Sequence, residues 1–182
     1  MPRTLLAYST VDGQTLKICH RIRQSLEQMG HVADLVEIGA SGALDATPFD
    51  QIVIGASIRY GKYRPALFRF IEAHRDVLDR TPSAFFSVNV VARKPGKDKP
   101  ESNPYVRTFR QGTTWVPREI GVFAGKIDYP RYGFVDRQMI RLIMWLTQGP
   151  TDPGACVEFT DWQAVERFAQ RVSSMGSAVA RR

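Results

Sequence analysis

Short continuous apolar runs alternate along this chain with stretches whose apolar positions recur every three or four residues. The first run, Thr4 to Tyr8, passes through a polar loop into Leu16, Cys19, Ile22, Leu26 and Met29. That spacing predicts an amphipathic helix, and Gly30 stands where a helix C-terminal glycine belongs. Val32 to Ile38 is a second, β-branched run, followed by turn-rich residues from Gly39 to Pro48 with no assignable period. Gln51 to Ala56 reads QIVIGA without polar alternation, the mark of a strand covered on both faces. Pro65 fits the first turn of a helix with a stripe of Leu67, Phe70, Ile71, His74, Val77 and Leu78. Ala84 to Val91 reads as a fourth strand, Asn103-Pro104 as the cap and first turn of a helix carrying Val106 and Phe109, and Glu119 to Ala124 as a fifth strand. After a long excursion the chain returns through Val157 to Phe159. The spacing Thr160-x-x-Gln163 then predicts a capping box for a last helix, with Trp162, Val165, Phe168, Ala169 and Val172 inward.

Strands alternating with helices predict an α/β fold, a three-layer sandwich around a parallel sheet with right-handed crossovers. Five strands suit the flavodoxin-like order 2-1-3-4-5, which puts a ligand beyond the carboxyl ends of the strands, beside the loop after strand one. The length of 182 residues fits one domain over residues 1–174, with an insertion at about 126–155 after strand five and a C-terminal tail at 175–182. Cys19 and Cys156 are read as core thiols of a reducing compartment, and the three histidines show no metal spacing. No signal-peptide pattern opens the sequence and no apolar run is long enough to span a bilayer, so a cytoplasmic protein with at most peripheral membrane contact is expected. A formal net charge of +7 favours anionic partners. Nucleic acid is not expected among them, because neither a recognition-helix motif nor a repeated basic-aromatic platform is present.

Three loops carry the chemistry. Ser9-Thr10-Val11-Asp12-Gly13-Gln14-Thr15 joins the first strand to the first helix and offers hydroxyls, a flexible glycine and a helix N-terminus, where an anion is favoured. It has neither the Gly-Lys-Ser/Thr end of a P-loop nor the three spaced glycines of a dinucleotide fingerprint, which leaves a monophosphate such as that of FMN. At the end of strand three, Ser57, Ile58, Arg59, Tyr60 and Gly61 place an aromatic and backbone groups for a flavin ring. At the end of strand four, Asn89, Val90, Val91 and Ala92 supply a third wall, with Asn89 offering a paired donor and acceptor. A basic run from Arg93 to Arg118 has the look of an ordinary solvated face, and beside the ring edge it could also receive a substrate's carboxylates. In the insertion, Phe134 to Gln148 makes a helix with Val135, Met139, Leu142, Ile143 and Leu146 on one face and Arg137 and Arg141 on the other. Phe134 and Trp145 lie near the arginines, the pattern of an interfacial helix, although a helix packed on its own domain has the same wheel.

The stretches STVDGQT, IVIGASIRYG, SVNVVARKP, YPRY and DRQMIRLIM together resemble the quinone-dependent protoporphyrinogen IX dehydrogenases, bacterial flavodoxin-like proteins of haem biosynthesis. The resemblance runs from about Thr4 to Phe168. It implies FMN as cofactor, protoporphyrinogen IX as reductant, and menaquinone or ubiquinone as oxidant at the cytoplasmic face of the inner membrane. It carries phosphate contacts to Ser9, Thr10, Gly13, Gln14 and Thr15, and ring contacts to the loops at Ile58 to Gly61 and Asn89 to Ala92. Asp12 departs from the hydroxyl of electron-carrier flavodoxins; a carboxylate beside a phosphate is repelled, so Asp12 is expected to point away or to cap the helix. Arg59, Arg93, Lys94 and Lys97 are the candidate clamp for the substrate's propionates, and Phe134, Met139, Leu142 and Trp145 the candidate membrane face. The residues name no catalytic base, no metal is expected, and self-association is left open. The competing function is an electron-carrier flavodoxin without a substrate of its own.

Overall fold

The computed structural model describes residues 1–39 and 45–177. Five parallel strands, β1 (Arg3–Ser9), β2 (Val32–Glu37), β3 (Gln51–Ser57), β4 (Ser83–Val88) and β5 (Glu119–Phe123), form one sheet in the order β2-β1-β3-β4-β5. The expected order is the one observed. Helices α1 (Gln14–Gln28) and α6 (Trp162–Ser177) cover one face. Helices α2 (Pro65–Ala73), α3 (Arg75–Arg80) and α4 (Pro104–Gly112) cover the other.

Strand periodicity divides the core. Leu5, Ile52, Ile54 and Phe85 point to the α2–α4 side and pack with Leu67, Ile71, Phe109 and Trp115, while Leu6, Val53 and Phe86 point to the α1–α6 side with Ile18, Ile22, Phe168 and Val172. Phe85 and Phe109 stack with centroids 3.8 Å apart. Gly55 has no replacement, since a Cβ there would fall 2.1 Å from the Phe86 ring.

Several local expectations shift. The helix from Pro65 breaks at His74 (φ −112°), whose ring stacks 4.3 Å from that of Phe70. Strand four stops at Val88 because the Asn89 side chain accepts from the Ala92 N–H and caps a 3₁₀ turn, Val90–Arg93. The final helix is capped one residue late. Asp161 Oδ1 accepts from the Ala164 N–H (3.1 Å), and the Thr160 hydroxyl instead donates to the Ala124 carbonyl (2.8 Å). Val157 belongs to β7 (Cys156–Glu158), which pairs antiparallel with β6 (Lys126–Asp128) in a separate two-stranded ribbon. Cys19 is buried as expected and burial pushes its thiol pKa up, but Cys156 is exposed on that ribbon because a short edge strand has no second layer over it. The proposed tail boundary at 175 falls inside α6, and residues 40–44 and 178–182 lie outside the described residues.

At the end of the sheet away from the loops, His31 is buried, its Nε2 2.8 Å from the Ser173 hydroxyl and its Nδ1 3.4 Å from that of Thr4. Burial lowers its pKa, against a smaller opposing pull from Asp50. A histidine kept neutral in the folded state contributes its full stability above the unfolded pKa of about 6.5 and loses it as pH falls toward the lowered folded value. The midpoint of thermal unfolding is therefore expected to drop as pH falls below about 6.5. His31→Gln should flatten that limb, and equal slopes in the two proteins would contradict the assignment.

Candidate functional site

The loop after β1 ends on Gly13, whose φ of +84° is open to glycine without strain and which caps α1 without a side chain. The Gly13 N–H donates to Thr10 Oγ1 (3.0 Å), and the first helical bond runs from the Lys17 N–H to the Gly13 carbonyl (3.0 Å). The helix N-terminus is thus presented to the cleft without a protein side chain over it. Thr15 is fully buried, yet its hydroxyl has no hydrogen-bond partner among the described residues. A buried hydroxyl left without a bond costs roughly 1–3 kcal/mol unless a ligand supplies one. The residues present fit the monophosphate of FMN. Ser9 is buried behind the loop, and the Gln14 side chain is held away by Thr160 Oγ1 (2.9 Å).

Asp12 lines the cleft, but its carboxylate is engaged by the loop after β3. Both its oxygens accept from Arg59 Nη1, at 2.8 and 2.7 Å, so the carboxylate that would repel a phosphate is neutralised by the loop after β3. Arg59 also donates through Nη2 to Asp136 Oδ2 (2.8 Å). Its side chain is only 17% exposed. Burial works against its charge, but the contacts with Tyr60 and Asp12 outweigh it and push the guanidinium pKa up. Arg59 therefore does not stand free for a substrate carboxylate; it ties together the phosphate loop, its own loop and the insertion. Arg59 and Lys62 exchange backbone hydrogen bonds (2.9 and 3.1 Å) around Tyr60 (φ 50°) and Gly61 (φ 75°), a hairpin-type turn with two left-handed residues. Holding Tyr60 there costs on the order of 1–3 kcal/mol, offset by the contacts of its side chain. The Tyr60 hydroxyl donates to Asp136, and the Arg59 guanidinium lies 5.0 Å from the Tyr60 ring centroid and 5.2 Å from that of Tyr132.

In the loop after β4, Val90 and Val91 line the same cleft. Asn89 does so without a free side-chain amide. Its Oδ1 accepts from the Ala92 N–H (3.0 Å), and its Nδ2 donates to Ser87 Oγ (3.0 Å), so the paired donor and acceptor expected for a ring are consumed inside the protein. Ala92 turns inward against Val106, Val122 and Ala124. Arg93 lines the cleft and donates to the carbonyls of Val90 (3.1 Å) and Thr147 (2.8 Å). Among the described residues it has no carboxylate partner, and burial lowers its pKa. Lys94 and Lys97 are not brought to the cleft, because the 3₁₀ turn directs the chain behind Arg93 into a surface loop. Lys97 Nζ reaches instead to the Ser102 carbonyl (3.5 Å).

The insertion supplies what local pattern did not reveal. Helix α5 (Phe134–Leu146) lies across the cleft, with Ile140, Ile143 and Met144 lining it alongside Tyr105, Lys126 and Tyr132. Its N-terminal end is held through Asp136 by Arg59, and its C-terminal end through the Thr147 carbonyl by Arg93. The wheel also turns out reversed relative to an ordinary surface helix. Arg137 and Arg141 are half-buried and donate to the carbonyls of Tyr132 (3.3 Å) and Thr151 (2.9 Å), so they hold the helix down rather than face water. The apolar residues face out: Phe134 is 76% exposed, Leu142 56%, Trp145 69% and Leu146 67%, with Val135 and Met139 beside them. A helix packed by its broad apolar face on its own domain is therefore not what forms. No described helix is long and apolar enough to cross a membrane.

Comparison with known proteins gives the same assignment from a separate direction. A family model described as a flavodoxin domain matches residues 5–154. Protoporphyrinogen IX dehydrogenase [quinone] of Escherichia coli (strain K12) is 42% identical over 173 residues, 95% of this chain and 96% of that protein. The chain belongs to this dehydrogenase family. Another member, from Leishmania major, is 40% identical over 179 residues, covering 98% of this chain and 78% of its own length. Among solved structures, a short-chain flavodoxin associated with a PDU bacterial microcompartment aligns with a TM-score of 0.55 over 97% of this chain and 99% of its own. An archaeal flavodoxin aligns with 0.52 over 96% and 99%. At 12% identity each, these two establish the flavodoxin-like fold. The dehydrogenase relatives match nearly the whole chain, α5 included, so the family resemblance covers the roof of the cleft as well as its floor.

Proposed function

We propose that this protein oxidises protoporphyrinogen IX to protoporphyrin IX on a bound FMN, with a quinone as electron acceptor. The observation that carries the reading is the cleft. Three loops at the carboxyl ends of the sheet, one of them with an unpartnered buried threonine hydroxyl at a helix N-terminus, are roofed by a helix whose other side is apolar and exposed.

FMN, when bound, supplies the redox chemistry, accepting two electrons at a time and passing them on. The protein's part is placement and exclusion. Thr10, Thr15 and the first-turn N–H groups of α1 would hold the phosphate, while Tyr60, Val90, Val91 and Tyr105, which line the same cleft, would border the ring. Ile140, Ile143 and Met144 keep water from that end. Arg93 places a cation without a carboxylate partner at the wall of the cleft, suited to a propionate of the substrate. Among the described lining residues the one carboxylate, Asp12, is engaged by Arg59, and burial raises the pKa values of Tyr105 and Tyr132. The lining thus offers no ready base, and the protons released on oxidation pass to solvent.

The outward face of α5 is the reading's link to lipid. Phe134, Leu142 and Trp145 match a segment that lies in an interface. Docked there, at the cytoplasmic face of the inner membrane, the cleft would meet a membrane quinone such as menaquinone or ubiquinone. Purified protein should take up FMN with a change in its visible spectrum, and added quinone should accelerate porphyrin formation from protoporphyrinogen under anaerobic conditions. Porphyrin formation no faster than with free FMN and quinone alone would overturn the proposal.

A further inference from the structure

Beside the cleft that receives the ring lies a second concavity, lined by Thr10, Asp12, Gly13 and Gln14 of the phosphate loop and by Lys126, Asp128, Arg131 and Tyr132 of the insertion. The two share Thr10, Asp12, Gln14, Lys126 and Tyr132, so they are the two ends of one site. The insertion is thus present at the phosphate end as well as over the ring. Its first segment, β6 and the 3₁₀ turn Tyr129–Arg131, pairs through β6 with β7, and the base of this ribbon is tied to the cradle and α1 by three contacts. Thr160 Oγ1 bridges Gln14 Nε2 (2.9 Å) and the Ala124 carbonyl (2.8 Å), and Lys17 Nζ reaches Glu158 on β7 (2.6 Å).

The charges at this end leave one remainder. Lys17 is paired with Glu158 (2.6 Å), Lys126 with Asp128 (3.0 Å) and Asp12 with Arg59 (2.7 Å). Arg131 lines the same concavity, is exposed, and forms no ion pair among the described residues. An anion seated on the phosphate loop at the α1 N-terminus would therefore share this concavity with the unpaired Arg131 guanidinium and with the Lys126 ammonium, which Asp128 already holds. We infer that Arg131, supported by Lys126, is a cofactor-phosphate residue supplied by the insertion, so that the added element fixes the anionic end of the cofactor as well as roofing its ring. This rests on the FMN reading above. Its physical basis is that a guanidinium facing a phosphate makes charge-assisted hydrogen bonds, here in a concave site where solvent screens them less than on open surface.

The experiment compares two probes that differ only in the phosphate, FMN and riboflavin, by fluorescence quenching on titration with the full-length apoprotein. Arg131→Ala should weaken FMN about five- to tenfold, the worth of one partly exposed hydrogen bond to a charged group, and leave riboflavin unchanged. Arg131→Lys should recover part of the loss. The double variant Arg131→Ala/Lys126→Ala should weaken FMN further and reduce the dependence of its affinity on salt. Unchanged FMN affinity in Arg131→Ala and in the double variant would overturn the inference, and so would equal losses for FMN and riboflavin, which would mark a structural role. Should the wild-type protein bind neither flavin, the cofactor reading fails and takes the inference with it; FMN bound tightly by wild type and variants alike removes the inference alone.

Discussion

Leu142→Asp together with Trp145→Asp should release the protein from anionic phospholipid vesicles while FMN uptake stays as in the wild type. Both side chains point away from the domain, at 56% and 69% exposure, and neither lines the cleft. Burying a large apolar side chain in an apolar medium contributes roughly 1.5–3 kcal/mol, and each aspartate adds the cost of bringing a carboxylate to an anionic surface. Two such changes should lower vesicle partitioning by about a hundredfold or more. Co-sedimentation with vesicles reads this directly. Unchanged partitioning of the double variant, with release by salt alone, would show that attachment is purely electrostatic and that α5 does not enter the interface. The orientation of α5 makes the test sharp, because its arginines donate to backbone carbonyls and Leu142 and Trp145 stand out into solvent, away from the Ile140 and Met144 side that packs on the domain.

Arg59→Ala should weaken FMN binding by about ten- to a hundredfold, and Asp12→Asn in the same chain should restore much of that loss. Without the guanidinium, the Asp12 carboxylate becomes an unpaired charge in the phosphate loop, and at an effective dielectric near that of a protein surface a like charge a few ångströms off costs a few kcal/mol before screening. Asp12 is 44% exposed, so solvent screening reduces that cost, which is why the expected loss stops near two orders of magnitude. The double-mutant cycle separates electrostatics from packing. If Asp12→Asn restored nothing, the role of Arg59 would lie in seating α5 through Asp136 and not in neutralising the loop.

The sheet order and the three loops were legible in the sequence because both depend on local pattern. Continuous apolar runs such as QIVIGA become buried parallel strands, and the loops at their carboxyl ends must then converge. What stayed hidden was long-range pairing. Arg59 reads locally as a free cation beside a flavin loop; only the fold brings it to Asp12, 47 residues away, and to Asp136, 77 residues away. Asn89 reads as a ring contact until the chain turns and its side chain becomes a cap. Lys94 and Lys97 share a basic run with Arg93, but the 3₁₀ turn keeps only Arg93 at the cleft. Helical periodicity likewise separates the two faces of α5 without saying which is inward, and the Arg137 and Arg141 contacts decide that. Arg131 lies within YPRY, one of the stretches that carry the family resemblance, but neither it nor Lys126 gave a local sign of a phosphate role, since a short basic turn in a long connection looks like any solvated loop.

Flavin-binding loops of this kind would serve an electron carrier equally well; a substrate of its own is what separates this chain from one. The most direct measurement is anaerobic mixing of the FMN-loaded protein with protoporphyrinogen IX in the absence of any acceptor, followed by a quinone. The flavin absorption should bleach as the first two of the six electrons leave protoporphyrinogen, and adding the quinone should restore it and let porphyrin formation run to completion over three such cycles. A flavin that stays oxidised in the presence of protoporphyrinogen, yet is reduced by another protein's electrons, would contradict the account and leave a carrier in its place.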